Sequence, residues 1–62
     1  MMLYNYPDIL TIDEVMSILH IGRGLCYEYL KSGLLKGFKI GSKTWKIPKD
    51  SVIEFINTQA YS

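Results

Sequence analysis

Residues 18–35 read ILHIGRGLCYEYLKSGLL, and the way this run divides decides the fold. Gly22 suits either a residue of positive φ or an N-cap, Arg23 can open a helix, and Ser32-Gly33 supplies the glycine favoured just past a helix C-terminus. At 100° per residue Cys26, Tyr29 and Leu30 share one face of a helix over 23–32. Gly24, Tyr27, Glu28 and Lys31 share the opposite face, and Leu25 sits at the border. The face that repeats apolar residues is the one to bury. The other is a polar, tyrosine-bearing surface that needs a purpose.

Working towards the N-terminus, Thr11-Ile12-Asp13-Glu14 has the form of a capping box. The Thr11 hydroxyl accepts from the Glu14 amide, and the Glu14 carboxylate accepts from the Thr11 amide. Leu10 and Val15 stand where a hydrophobic staple would. Ile12, Val15, Met16 and Leu19 then recur at i, i+3, i+4 and i+7, which predicts a helix over 12–19 with Asp13, Glu14 and Ser17 outward. Two short helices joined by three residues, with Ile21 plugging the angle between them, make a helix-turn-helix. Residues 1–10 show no period and read as an arm, whose Tyr4, Tyr6 and Ile9 are apolar enough to fold back on the core.

Working towards the C-terminus, the period changes to two. Phe38 and Ile40 alternate with Lys39, Gly41-Ser42 marks a turn, and Trp45 and Ile47 alternate with Thr44 and Lys46, which predicts a β-hairpin over 37–47. On this reading Phe38, Ile40, Trp45 and Ile47 face inward. Lys39 and Lys46 project from the other side, and Lys43 from the tip. Pro48 stops the second strand and opens a third helix over 49–59, whose apolar face is Val52, Ile53, Phe55 and Ile56. The order is helix, helix, β-hairpin, helix: one small α+β domain over 1–62, without repeats, linkers or low-complexity runs.

Composition narrows the function. Sixty-two residues, 48% apolar and 21% charged, leave room for one domain and little capacity for a concave active site. A single cysteine cannot close an internal disulfide, which fits a reducing compartment, and no run is long and apolar enough to cross a bilayer. The expected location is the cytoplasm, at the nucleoid. The net charge of +1 falls short of what a dedicated nucleic-acid binder carries, but its distribution is uneven. All seven cationic side chains (Arg23, Lys31, Lys36, Lys39, Lys43, Lys46, Lys49) lie within 23–49, where Glu28 is the only acid. A strongly positive middle flanked by acidic ends concentrates potential that the total conceals.

Several chemical signatures fail on inspection. GSKT at 41–44 has the letters of a phosphate-binding loop, but that motif needs its lysine directly after the second glycine and a helix behind it, whereas a strand follows here. His20, the sole histidine, has no cysteine or second histidine at metal-ligand spacing. Cys26 lies on the apolar face without a histidine partner and reads as a packed thiol. Asp13 and Glu14 are accounted for by helix capping. These observations point to no enzyme, no cofactor and no metal.

A double-stranded DNA reader needs side chains that reach base edges and phosphates, and Arg23, Tyr27 and Lys31 on the outer face of the second helix have that reach. Glu28 either accepts from a cytosine amino group or opposes binding. Gly24 permits close backbone approach. In the hairpin, Ser42, Lys43 and Thr44 can all donate to phosphate oxygens. For Lys39 and Lys46 two readings stand: phosphate contact, or a solvated strand face that resists edge aggregation. Trp45, in phase with Ile47, reads as core rather than as a base-stacking platform.

The landmarks L-T-x-x-E-V at 10–15, L-x-I-G-R at 19–23, Tyr27, L-K-x-G-x-L at 30–35, F-K-I-G at 38–41 and W-K-I-P-K at 45–49 resemble the small helix-turn-helix domain of the excisionase family. That family is related to the DNA-binding domain of MerR-type regulators, and the likeness covers residues 10–56. It implies a winged helix-turn-helix in which the second helix enters a major groove and the hairpin is the wing. It places Arg23, Gly24, Leu25 and Tyr27 at DNA-facing positions, with Lys43 in the wing. Members commonly carry serine or threonine at the position of Gly22, and polar or basic residues at those of Gly24, Leu25 and Glu28. The implied role is recombination directionality beside an integrase, with copies cooperating on DNA. A small transcription regulator, or an interaction module that binds an integrase or itself through Leu25 and Tyr27, are the alternatives.

Overall fold

The computed structural model describes residues 5–61. In chain order these form β1 (Ile9–Leu10), α1 (Ile12–Leu19), α2 (Arg23–Ser32), β2 (Phe38–Ile40), β3 (Thr44–Pro48) and α3 (Lys49–Tyr61). The strands make an antiparallel sheet in the order β1-β3-β2. With three helices and this sheet, the chain is a small α+β domain of the winged helix-turn-helix kind.

The Thr11 capping box forms. The Thr11 amide donates to Glu14 Oε1 at 2.9 Å and the Glu14 amide donates to Thr11 Oγ1 at 3.3 Å. Two orphan donors at the start of α1 are thereby satisfied. Leu10 and Val15, on either side of the cap, are both fully buried. At the other end of α1 the left-handed residue is His20, at φ 57°, and not a glycine. Gly22 instead has φ −77° and is the N-cap of α2, without a side-chain bond. Ile21 donates its amide to the Met16 carbonyl at 3.2 Å and packs against the core, holding the angle between the helices. Gly33 ends α2 at φ 84°, where an L-residue with a Cβ would be strained.

The buried core is Leu10, Ile12, Val15, Cys26, Leu30, Leu35, Ile47 and Val52, with every element except β2 contributing. α1 packs on α2 and on β3, and α3 packs on β3. Tyr29 of α2 meets Phe55 of α3 at a ring-centroid separation of 5.2 Å.

The arm and the hairpin depart from the sequence reading. The end of the arm is a strand: Ile9 pairs with Pro48 and Leu10 with Ile47. Pro48 is therefore the last residue of β3, where its missing N–H is harmless. Lys49 fastens the arm, its amide donating to the Asp8 carbonyl at 2.7 Å and its ammonium to the Tyr6 carbonyl at 3.3 Å. Tyr6 packs on the core, but Ile9 is 45% exposed. Tyr4 lies outside the described residues.

In the hairpin, Phe38 pairs with Lys46, Lys39 with Trp45 and Ile40 with Thr44. The loop is thus the three residues Gly41-Ser42-Lys43, with Lys43 at the tip as expected and Gly41 at φ 69°. A loop of three residues sets Phe38 opposite Lys46 and not opposite Trp45, so the four apolar residues do not share one face. Phe38 and Ile40 share a face with Lys46 and Thr44, while Lys39 shares the inward face with Trp45 and Ile47. Phe38 and Ile40 are accordingly 46% and 56% exposed, while Leu35, outside the strands, is buried in the core.

Candidate nucleic-acid interface

α2 is held by its apolar face. Cys26 and Leu30 are buried and Tyr29 is half-buried against Phe55, so the orientation of the helix is set by packing. Burial also pushes the Cys26 thiol pKa up, only partly opposed by the Arg23 charge. This keeps it a packed, protonated group. The opposite face is left to solvent: Gly24, Glu28 and Lys31 are exposed, Leu25 is 40% exposed, and Tyr27 is half-buried at the edge. A Cβ placed on Gly22 or Gly24 would meet nothing within 4 Å, so the backbone of the first turn is open to close approach.

Arg23, at the first position of α2, reaches back across the turn. Its Nη2 lies 2.6 Å from Asp13 Oδ1 on α1, with the two side chains 54% and 77% exposed. The hydrogen bond to Asp13 raises the Arg23 pKa, and Tyr27, one helical turn on, acts in the same direction. Asp13 stands in the acidic first turn of α1, as expected, but makes none of the capping bonds, which join Thr11 and Glu14; its ion pair with Arg23 is additional. No local spacing rule reveals this pair. The residues are ten apart and meet only because the turn folds one helix start against the other.

The hairpin presents its lysines in three directions. Lys43 stands at the exposed tip between Ser42 and Thr44. Lys46 is half-buried opposite Phe38. The Lys39 ammonium lies 5.3 Å from the centroid of the half-buried Trp45 ring, a cation–π contact on the inward side of the hairpin. The shared outward projection expected for Lys39 and Lys46 does not occur, because the three-residue loop puts them on opposite faces. Lys49 is tied to the arm, 3.6 Å from Asp8 Oδ1. Among the described residues, Lys31, Lys36, Lys39, Lys43 and Lys46 form no ion pair.

Among the described residues no three or more His, Cys, Asp or Glu side chains gather as a metal site, and no helix is long and apolar enough to cross a membrane. What the domain offers is a packed helix with a solvent-facing side, a lysine-tipped hairpin beside it in the chain, and few internal partners for the cations between residues 31 and 46.

Comparison with known proteins agrees with this geometry. A family described as a helix-turn-helix domain matches residues 9–60. An excisionase of Streptomyces ambofaciens is 36% identical over 53 residues, which span 86% of this chain and 84% of the relative. No solved structure matches significantly. The family match takes in every element from β1 to α3, and the chain belongs to the excisionase family of helix-turn-helix DNA-binding domains.

Proposed function

We propose that the domain acts as an architectural DNA-binding factor of recombination. It lays the outer face of α2 in a major groove and sets the hairpin tip against the flanking backbone. The observation that carries this reading is the run of five lysines between residues 31 and 46 that have no ion-pair partner among the described residues. Cations left unpaired on one segment are available to displace counterions from a duplex. The contact set is Arg23, Gly24, Tyr27 and Lys31 on α2, with Ser42, Lys43 and Thr44 at the tip. Leu25 and Glu28 border it. Lys46 flanks the tip, and Lys39 contributes through the field rather than by contact.

The domain works by binding and not by catalysis, in the compartment that holds the DNA. One copy has a small footprint, so copies on adjacent sites and an integrase beside them are the proposed partners. The exposed Leu25, Phe38 and Ile40 favour that association. A transcription regulator would use the same surface at a different site.

Titrating a short duplex between about 50 and 200 mM salt tests the reading. Each phosphate contact contributes about 0.9 to the slope of log affinity against log salt. Lys43→Ala and Lys31→Ala should each weaken binding and lower that slope by about one contact. A flat salt dependence, or unchanged slopes in both variants, contradicts the proposed interface. Light scattering without duplex that shows a stable complex of copies would favour the interaction-module reading instead.

A further inference from the structure

The Arg23–Asp13 pair stands at the start of α2, where a carboxylate opposes any phosphate brought close to it. We propose that Asp13 is a positioning residue for base recognition: it holds the Arg23 guanidinium so that its free edge reads a guanine. This rests on the DNA-binding reading given above.

Three observations support it. The pair is made through one nitrogen and one oxygen, Nη2 to Oδ1 at 2.6 Å, and a guanidinium has five N–H donors in a rigid plane. The remaining donors stay available, and the side chain is 54% exposed. Arg23 is the first residue of α2, the part of a recognition helix that meets base edges. Asp13 also makes none of the α1 capping bonds, which Thr11 and Glu14 make between themselves.

The choice between guanine and phosphate follows from charge. Guanine presents two uncharged acceptors, O6 and N7, to which a planar arginine binds in bidentate fashion. A phosphate on the same guanidinium would bring its anion close to the Asp13 carboxylate, a like-charge contact in a partly desolvated interface. Asp13 therefore weakens sequence-independent contact by Arg23 while restricting the rotamers of a long, flexible side chain. An exposed ion pair is itself weak, so it guides the arginine without locking it. Tyr27, also favouring the charged arginine, borders the group on its own helix.

The test uses the full chain, a fixed random-sequence duplex of about twenty base pairs, and a randomised duplex pool from which bound sequences are recovered. The wild type should select guanine at one fixed position by about ten- to a hundredfold, the range of a good bidentate contact. Asp13→Asn should tighten binding to the random duplex by about two- to fivefold, the size of one exposed charge interaction, and relax the guanine preference. Arg23→Lys, which keeps the charge but loses the planar fork, should abolish the guanine preference. Asp13→Glu should restore part of it. Circular-dichroism melts of each variant confirm that the comparisons are between folded chains.

Tighter binding by Asp13→Asn to all duplexes with an unaltered base preference makes Asp13 a passive charge and overturns the proposal. So does a wild-type selection without guanine at any fixed position, or an Arg23→Lys variant that selects as the wild type does. If the wild type binds no duplex at low salt, the DNA-binding reading itself fails, which is a different result.

Discussion

A Cβ built on Gly37 would lie 2.9 Å from Leu30 Cδ2, 3.1 Å from Ile47 Cγ1 and 3.1 Å from the Lys46 carbonyl oxygen. Gly37 points to the inward face, toward Ile47, because Phe38 pairs with Lys46. A methyl group there pushes on a backbone carbonyl, which cannot rotate away as a side chain can. Gly37→Ala should destabilise the domain by about 1–3 kcal/mol, read as a lowered urea midpoint with an unchanged m-value. Gly24→Ala is the informative contrast. Its added methyl meets nothing within 4 Å in the first turn of α2, so by restricting the unfolded chain it should stabilise by about 0.4–1 kcal/mol. Equal shifts in the two variants would contradict this account of Gly37.

At the scale of the element, the hairpin is where a single loop residue decides which side chains matter. Phe38 and Ile40, 46% and 56% exposed, lie on the outer face with Thr44 and Lys46. Phe38→Thr and Ile40→Thr should each change stability by less than about 1 kcal/mol, while Ile47→Ala should cost about 2–5 kcal/mol. Denaturation of the three variants in parallel distinguishes the registers. A two-residue turn would bury Phe38 and Ile40, and their replacement would then be as damaging as that of Ile47. The outward Phe38 and Ile40 leave an apolar strip beside Lys43 and Lys46, on an edge strand only three residues long. That brevity limits edge-to-edge pairing.

For the whole molecule, the core is small enough that one side chain is a large share of it. Stability of about 0.05–0.15 kcal/mol per residue gives a chain of this length about 3–9 kcal/mol in all. Leu10 is fully buried, pairs with Ile47, and precedes the α1 cap, so it joins the arm, the sheet and the first helix. Leu10→Ala should cost about 2–5 kcal/mol and leave a substantial unfolded fraction at physiological temperature. Duplex at a hundred times its dissociation constant should return about 2.7 kcal/mol by mass action, raising the melting temperature of the variant as of the wild type. A melting curve that duplex does not move would separate folding from binding and contradict the proposed interface.

The fold class was legible in the sequence because its signals are local. The Thr11–Glu14 box spans four residues, the apolar repeat of α1 spans two turns, and Gly33 marks a helix end by its own φ. Each depends on neighbours within one turn, so the chain alone carries the information. The outer face of α2 was legible for the same reason: once Cys26, Tyr29 and Leu30 define the packed side, the other side follows from helix geometry. Tertiary structure decided what the residues meet. The register across the three-residue loop put Lys39 opposite Trp45 and Phe38 opposite Lys46, a pairing that alternation within each strand does not fix. The end of the arm became a strand because β3 offered it an edge. Arg23 found Asp13 ten residues away because a turn brought two helix starts together, a distance no spacing rule covers.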